Sequence, residues 1–465
     1  MTPSPIARAT RVRYSILFLL CILAMITYMD RAANGSAKKA IMADLNAAGS
    51  TYTEDDFFIV LMAFQLAYAL FEIPSGWLGD TRGPRSVLLR VVIWWSAFVA
   101  LTGLTGLTLP GGIYVGFAAL VVMQFLFGVG EAGAFPNIAK SLYNWFPAGD
   151  RGFAKSAVWM SARFMGGLTP LVWVLLVELG GVTWREAMWM FASVAAIWCV
   201  AFYFIFKNKP EEDSRVNAAE LAQINAGRKV AAKVVVVPWG KLVRSRNLWA
   251  VCAMYVVTNF CWYFLMYNHP RSMQLAFPDW NTTASGKMLL AILSGSPLLI
   301  GMFGCLLGGL LSDRYIRRTG DCKWGRRLFG MIGYGGAASA YFLAALVKYN
   351  DPTNLWLFAG LLILMGFMND LIMAPAWAVC QDIGREYAAT VSGAMNMFGN
   401  LVGAVSGIFV TGMITKGYPG DNGILICFAM YGSVYIIGVF LWLMIDASQP
   451  VVPDDQEVAG NSNCL

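Results

Sequence analysis

The chain has 465 residues, 58% hydrophobic and only 13% charged, with a formal net charge of +7. A soluble domain sits nearer about 45–50% and about 25%. This balance, with a mean hydropathy of +0.59, specifies a polytopic membrane protein and excludes reading the positive charge as a nucleic-acid signal. Nine cysteines stand singly and His269 is the sole histidine, which argues against a disulfide scaffold, a Cys/His metal site and histidine-based catalysis.

About 20 apolar residues of helix cross a bilayer. Such windows recur near residues 15–34, 56–78, 86–108, 113–144, 156–179, 187–206, 248–268, 287–311, 328–347, 354–376, 389–413 and 424–445. Arg8, Arg11 and Arg13 precede the first, and no small-residue cleavage site follows; it is read as a retained span and not a signal peptide. The window 113–144 is long enough to tilt or project. The expected organisation is an all-α membrane protein of about twelve spans. A six-helix bundle covers 1–206, a cytoplasmic linker 207–246, a second six-helix bundle 247–445 and a cytoplasmic tail 446–465. The linker holds Glu211, Glu212, Asp213, Lys229, Lys233, Lys241 and Arg244, and a short surface helix is expected over 211–228.

The loops give the orientation. Arg82, Arg85 and Arg90 follow the second span, Arg151 and Lys155 the fourth, and Arg314, Arg317, Arg318, Lys323, Arg326 and Arg327 the eighth. Short basic loops stay in the cytoplasm. Asp44, Glu54, Asp55, Asp56 and the loop 108–112 are then outside, and an even span count puts both termini inside. The two halves also repeat. Gly76-Trp-Leu78-Gly-Asp80 recurs as Gly309-Leu-Leu311-Ser-Asp313 at an offset of 233, and Arg151 recurs as Arg385 at an offset of 234. A constant offset with like loop polarity implies two parallel halves related by a repeat.

Charges inside the spans are the functional candidates, since each costs roughly 2.5–3.5 kcal/mol on insertion scales. Asp30 and Arg31 close the first span, Glu131 lies in the fourth, and Arg163 lies about 12 Å inward from Lys155, eight residues at about 1.5 Å each. Asp370, beside Asn369, is open between a cavity role and a helix contact. Asp30 and Arg31 could instead only pin the first helix to a neighbour, and Glu131 could be a structural carboxylate.

The run Gly76-x-Leu78-x-Asp80-x-Arg82-Gly83-x-Arg85 resembles the major facilitator signature between the second and third helices. It reads as a switchable latch in which Asp80 meets a helix N-terminus or an arginine in one state only. Asp313 and Arg314 repeat it in the second half. A narrower resemblance follows from Tyr28-Met-Asp30-Arg31, Phe127-Gly-Val-Gly-Glu131-Ala-Gly-Ala-Phe-Pro136, Trp145-Phe-Pro147, Pro375-Ala-Trp377 and Ser392-Gly-Ala-Met-Asn396-x-x-Gly-Asn400. These are similar to the anion:cation symporter family, which includes bacterial hexuronate, galactonate and glucarate transporters.

The resemblance implies that Arg31 binds the substrate carboxylate and that Asp30 and Glu131 carry protons. It also implies that Tyr68, Trp377, Asn396 and Asn400 line the cavity, with interhelical packing or hydrogen bonding the alternative for the last three. There is one departure. Relatives carry an arginine seven residues before the fourth-span glutamate, where this chain has Gln124 on the same helix face as Glu131. Arg163, at a position where the galactonate branch has a substrate-contacting glutamine, is expected to supply the missing charge, pairing with Glu131 or with substrate.

The expected function is proton-coupled uptake of a small organic anion, a sugar acid, by a monomer in the bacterial inner membrane. The substrate would lie between halves that rock around it. No cofactor, metal, nucleic acid or enzymatic activity is expected. Sodium is the alternative coupling ion. The alternative functions are a phosphate-ester antiporter and a transport-like anion receptor that signals.

Overall fold

The computed structural model describes residues 8–47, 49, 51–52, 54–226, 236–263, 278–347, 352–418 and 421–452. His269, Lys229, Lys233 and most of the tail lie outside the described residues. Each of the twelve windows carries helix. In the first half these are α1 (Val12–Ala47), α2 (Glu54–Arg82), α3 (Pro84–Thr102), α4 (Phe117–Glu131) continued by α5 (Ala134–Trp145), α6 (Arg151–Trp173) and α7 (Trp184–Ile205). After α8 (Ala218–Asn225) and α9 (Trp239–Val243), the second half has α10 (Arg246–Tyr263), α11 (Ala284–Thr319) and α12 (Cys322–Ala345). It continues with α13 (Leu355–Leu371) and α14 (Met373–Gly384), α15 (Ala388–Phe398) and α16 (Val405–Gly417), and α17 (Asp421–Met444). Among the described residues, ten helical stretches are long and apolar enough to cross a membrane, one of them the 60-residue run Leu355–Ile414 that spans two expected windows.

The fourth and tenth spans are both broken, and the reason is local. Pro136 and Pro375 each stand third in the second piece, at α5 and α14. Proline has no N–H to give the carbonyl four residues back, so the ladder is interrupted at Ala132–Gly133 and at Ile372. Each break comes just after an acid, Glu131 or Asp370. The fifth and eleventh spans share a different irregularity, a π-helical turn at Val174–Leu179 and at Gly399–Ala404. The third and fourth spans are shorter than expected. Gly103, Gly106, Pro110, Gly111 and Gly112 end the helix, and Thr108–Leu109 pairs antiparallel with Ile113–Tyr114 as a small hairpin. The first is longer, because Ile41, Met42 and Leu45 continue its buried stripe.

Two compact units result. The first comprises Met1–Pro147, Ser161–Val237 and Glu386–Gly393; the second Ala148–Met160, Pro238–Arg385 and Ala394–Leu465. The expected boundary, 206 against 247, keeps each sequence half intact. Instead the start of α6 belongs with the second unit and the start of α15 with the first, for reasons given by the acid caps described below. Within the first unit α2 packs on α4, and α3 on α4 and α7; within the second α11 packs on α13 and α12 on α17. Small residues allow this: a Cβ on Gly128 would collide with the Phe64 carbonyl, and one on Gly308 with that of Leu371.

The linker is divided: it belongs to the first unit as far as Val237 and to the second from Pro238. Asn217 caps α8 by accepting from the Glu220 N–H at 2.9 Å. The buried Glu220 carboxylate accepts from Thr10 Oγ1 at 2.6 Å and from the Val12 and Arg13 N–H groups at 3.1 Å. It thereby satisfies orphan donors at the start of the 36-residue α1. Beside it, hydrogen bonds from Arg215 hold Asp213 below the usual carboxylate range. Glu220→Ala is expected to destabilise the protein by about 1–2 kcal/mol, the scale of a lost helix cap, and to lower the midpoint of thermal unfolding in detergent; an unchanged midpoint would show that α8 does not support α1.

Candidate functional site

Four helices of the first unit meet around Tyr28 and Arg31. α1 supplies Tyr28, Asp30 and Arg31, α2 supplies Phe64 and Tyr68, α4 ends in Glu131, and α6 supplies Arg163. Arg31 Nε donates to Glu131 Oε1 at 2.7 Å. The Arg31 Cζ lies 4.3 Å from the Tyr68 ring centroid, 5.4 Å from Phe64 and 5.6 Å from Tyr28, so the cation is clamped by three π-faces. The Arg31 side chain is 26% exposed, whereas that of Glu131 is fully buried. Arg31 Nη2 and Glu131 Oε2 have no hydrogen-bond partner. The pair is thus joined through one donor only. Nη2 is itself buried, and the Tyr68 ring lies against the rest of the guanidinium, a planar fork suited to a carboxylate.

Asp30 points elsewhere on α1. It is fully buried and lies against the indole of Trp95 on α3. A buried ionised carboxylate facing a neutral group is costly by several kcal/mol, so this acid sits where its charge state matters most. Sequence reading missed a third acid, Glu72. It is fully buried in α2 one turn after Tyr68. Its signal was present, a lone acid in the apolar run Leu70–Ile73.

Two expectations are corrected here. Glu131 is not left for Arg163, because Arg31 from the neighbouring α1 already holds it. Arg163 Nη1 donates instead to Tyr28 Oη at 3.1 Å, with its Cζ 5.7 Å from that ring. Gln124 does not join the group. Its Nε2 donates to Asn34 Oδ1 at 2.9 Å and to Thr102 Oγ1 at 3.3 Å, which ties α4 to α1 and α3. In this position an amide does what an apolar helix contact cannot, while a charge would be left buried.

In the second unit Trp377 is buried and its Nε1 donates to Tyr255 Oη at 3.1 Å. The Lys155 ammonium lies 4.0 Å from the Trp377 ring centroid and 5.7 Å from Trp159. Lys155 was assigned to a basic loop; it is fully buried, one turn inside α6. Asn400 Nδ2 donates to the Asn396 carbonyl at 3.0 Å, and its Oδ1 accepts from Asn259 at 3.2 Å. Asn369 accepts from Tyr435 Oη at 2.7 Å. Asp370 packs against Gly301 of α11, the helix-contact reading of that acid.

The two signature aspartates cap helices. Asp80 accepts from the Ala389 N–H at 3.2 Å and from the N–H and Oγ1 of Thr390 at 2.7 and 2.6 Å, at the start of α15. Lys140 Nζ lies 3.3 Å from it. Asp313 accepts from the Gly152 and Phe153 N–H groups at 3.2 and 2.6 Å, at the start of α6. Arg326 bridges Asp313 at 2.7 Å and Asp382 at 3.0 Å, and Arg151 meets Asp382 at 3.0 Å. A carboxylate at a helix N-terminus satisfies orphan N–H groups and meets the positive end of the macrodipole.

Gly76 lets this approach occur, since a Cβ there would strike the Ala389 carbonyl, and Gly83 turns the chain at φ 85°. Arg85 donates to the Tyr203 carbonyl. Arg82 and Arg314 are exposed and take no part in these bonds; the cations beside the two aspartates are Lys140 and Arg326, which lie elsewhere in the sequence.

The Major Facilitator Superfamily model matches residues 20–408. The chain belongs to the Major Facilitator Superfamily. Among relatives of this superfamily chain, a probable sulfoacetate transporter of Cupriavidus necator is 31% identical over 450 residues, 95% of this chain and 96% of that protein. A probable galactarate/D-glucarate transporter of Escherichia coli K12 is 28% identical over 456 residues, 93% and 94% of the two chains. The proton:xylose symporter XylE, bound to 6-bromo-6-deoxy-D-glucose, superposes with a TM-score of 0.69 at 14% identity, over 94% of this chain and 97% of its own; this likeness concerns the fold alone. The chain is a multi-pass membrane transporter with the major facilitator fold, and its relatives agree with the anion:cation symporter motifs.

Asp80→Asn keeps the acceptor shape but removes the charge that faces α15 and Lys140. It is expected to lower the transport rate several-fold while leaving ligand affinity within about twofold, because Asp80 does not belong to the group around Arg31. Equilibrium binding compared with initial uptake rates reads the difference; a large loss of affinity at an unchanged rate would contradict it.

Proposed function

We propose that this transporter is a proton-coupled symporter that imports a small organic anion, a sugar acid of the hexuronate, aldonate or aldarate class. The reading places it in a bacterial inner membrane, with both termini in the cytoplasm and a single chain as the working unit. The observation that carries it is Arg31: a partly exposed side chain whose cation is clamped by aromatic rings and bonded to a buried acid through Nε alone. A carboxylate arriving at the guanidinium gains a charge-assisted, bidentate contact. It also competes with Glu131 for the same positive charge. An acid that loses its cation while buried is destabilised as an anion, so substrate binding favours proton uptake at Glu131. Asp30, buried against the Trp95 indole, is the second proton carrier. The substrate classes named for the relatives, small organic acids, support this chemistry.

The membrane potential supplies the need for coupling. Moving one uncompensated negative charge inward against 100 mV costs about 2.3 kcal/mol, and each co-transported proton cancels that term. The substrate is bound in turn from either side by alternating access. Sodium would serve the same arithmetic and is the alternative coupling ion.

Two outcomes follow. Uptake into proteoliposomes is expected to collapse with a protonophore and to ignore a sodium gradient; uptake that follows sodium instead would remove the proton assignment. Arg31→Ala is expected to abolish anion binding, since it deletes the fork and leaves Glu131 buried alone, at a cost of several kcal/mol. Glu131→Gln should retain binding within about tenfold but fail to accumulate substrate. Wild-type affinity in Arg31→Ala would put the carboxylate site elsewhere.

A further inference from the structure

α2 carries a line of residues at intervals of four: Tyr68, Glu72, Gly76 and Asp80. That interval is just over one helical turn, so they share one stripe of the helix. One end of the stripe is at the proposed anion site, where the Tyr68 ring centroid lies 4.3 Å from Arg31 Cζ. The other end is at the latch, where Asp80 accepts from the Ala389 and Thr390 N–H groups. Glu72 stands between the two and is fully buried. The transport chemistry argued above makes no use of it.

The middle of the stripe seats the first turn of α15, which belongs to the same unit as far as Gly393. A Cβ on Gly76 would come 2.3 Å from the Ala389 carbonyl oxygen, and one on Gly393 2.6 Å from that of Glu72. The two segments therefore touch backbone to backbone, glycine against carbonyl at both positions, with no side chain there to absorb a shift. Pro74 lies inside α2 between these two contacts. It gives no N–H to the Leu70 carbonyl, so α2 bends more readily at this point than an uninterrupted helix does. Of the charges that act on the Tyr68 hydroxyl, Glu72 is the strongest, ahead of Arg31 and Glu131. One phenol is thus shared by the cation of the anion site and the acid at the seat of α15.

We propose that Glu72 is a positioning residue that couples the two ends of the stripe: through Tyr68 it makes the seating of the first turn of α15 on α2 depend on whether an anion occupies Arg31. The inference rests on the reading of Arg31 as the anion anchor. An anion there brings a further negative charge to the phenol that Glu72 already acts on. Like charges repel strongly in a low-dielectric interior, so the Glu72 side chain and the backbone that bears it are displaced. The Glu72 carbonyl bears directly on Gly393, and a bend of α2 at Pro74 is passed to α15 and to the amides that Asp80 caps.

The test is hydrogen exchange of the full-length protein in detergent, read by mass spectrometry on the peptide that contains Ala389 and Thr390. It is run with and without saturating D-glucarate or sulfoacetate, and ligand-induced thermal shift records binding in the same samples. In the wild type, an anion that binds is expected to change exchange at these amides by about threefold or more. Glu72→Gln should still bind that anion, within about fivefold of the wild-type affinity, yet show no exchange response. A merely structural role would alter exchange in the absence of anion and leave the response intact. Tyr68→Phe, which removes the shared hydroxyl, should also lose the response, and Glu72→Asp, which keeps the charge on a shorter side chain, should keep part of it. Gly393→Ala should raise exchange with or without anion, because its methyl group lifts α15 from the Glu72 carbonyl. These three variants carry the test if Glu72→Gln does not fold.

A wild type whose amides ignore a bound anion would overturn the coupling and leave the Arg31 reading standing, as would a Glu72→Gln protein that responds as the wild type does. Failure of both anions to bind the wild type, or their undiminished binding by Arg31→Gln, would overturn the Arg31 reading and the coupling with it.

Discussion

The bond between Arg31 and Glu131 is the constraint around which the first unit is organised. A guanidinium deep in an apolar bundle needs a partner, and removing one member of such a pair costs several kcal/mol. That requirement fixes α1 against α4 at the depth where α4 breaks. It also explains the aromatic wall, because Tyr68, Phe64 and Tyr28 offer π-faces to the part of the cation that Glu131 does not reach. The bond uses one donor. A tighter, bidentate pair would be more stable and would leave nothing for a substrate. The looseness of the pair and the partial exposure of the Arg31 side chain belong to the same arrangement.

The second constraint is the treatment of helix starts. Three acids far apart in sequence do one job: Glu220 caps α1, Asp80 caps α15, and Asp313 caps α6. The first is within a sequence half and behaves as a permanent fitting, with Asn217 and Thr10 closing around it. The other two bond segments from the opposite half of the sequence, and this is why 148–160 and 386–393 cross the expected domain boundary. A cap of this kind contributes about 0.5–2 kcal/mol, enough to bias an equilibrium and too little to lock it. That magnitude suits an exchange between states better than a covalent or extensively buried contact would.

Much of this was legible in the sequence. The twelve windows, the repeat at an offset near 233, the acid after each signature glycine and the charged pair in the first span all come from pattern and composition. Arg31 and Glu131 were named as charges within spans and Tyr68 through the family resemblance, and the three lie together. What failed were the partners. Arg163 was paired with Glu131 by charge counting, but a count has no direction, and α6 turns Arg163 toward Tyr28. Gln124 shares a face with Glu131 by spacing, yet that face meets α1 and α3 two turns away. Lys155 was taken for a loop cation because basic residues near span ends usually are, whereas α6 starts four residues earlier and buries it against Trp377. Glu72 was passed over because a single acid in an apolar run makes no motif. Spacing along a helix fixes which residues share a face; it does not say which neighbour that face meets.

The broken spans join the two levels. Pro136 and Pro375 remove one backbone bond each, and each leaves carbonyls near an acid that precedes the break. In the first unit that acid is Glu131, the partner of Arg31. In the second it is Asp370, beside Asn369, which Tyr435 holds. The repeat therefore preserves the backbone device, a proline-interrupted helix with an acid at its hinge, while the side-chain chemistry has diverged. One copy sits against a guanidinium with a donor to spare, and the other against Gly301. The two halves are thus more alike in backbone than in side-chain chemistry. On the proposed reading, a cation that can change partners is the element that makes the acid of the first unit useful.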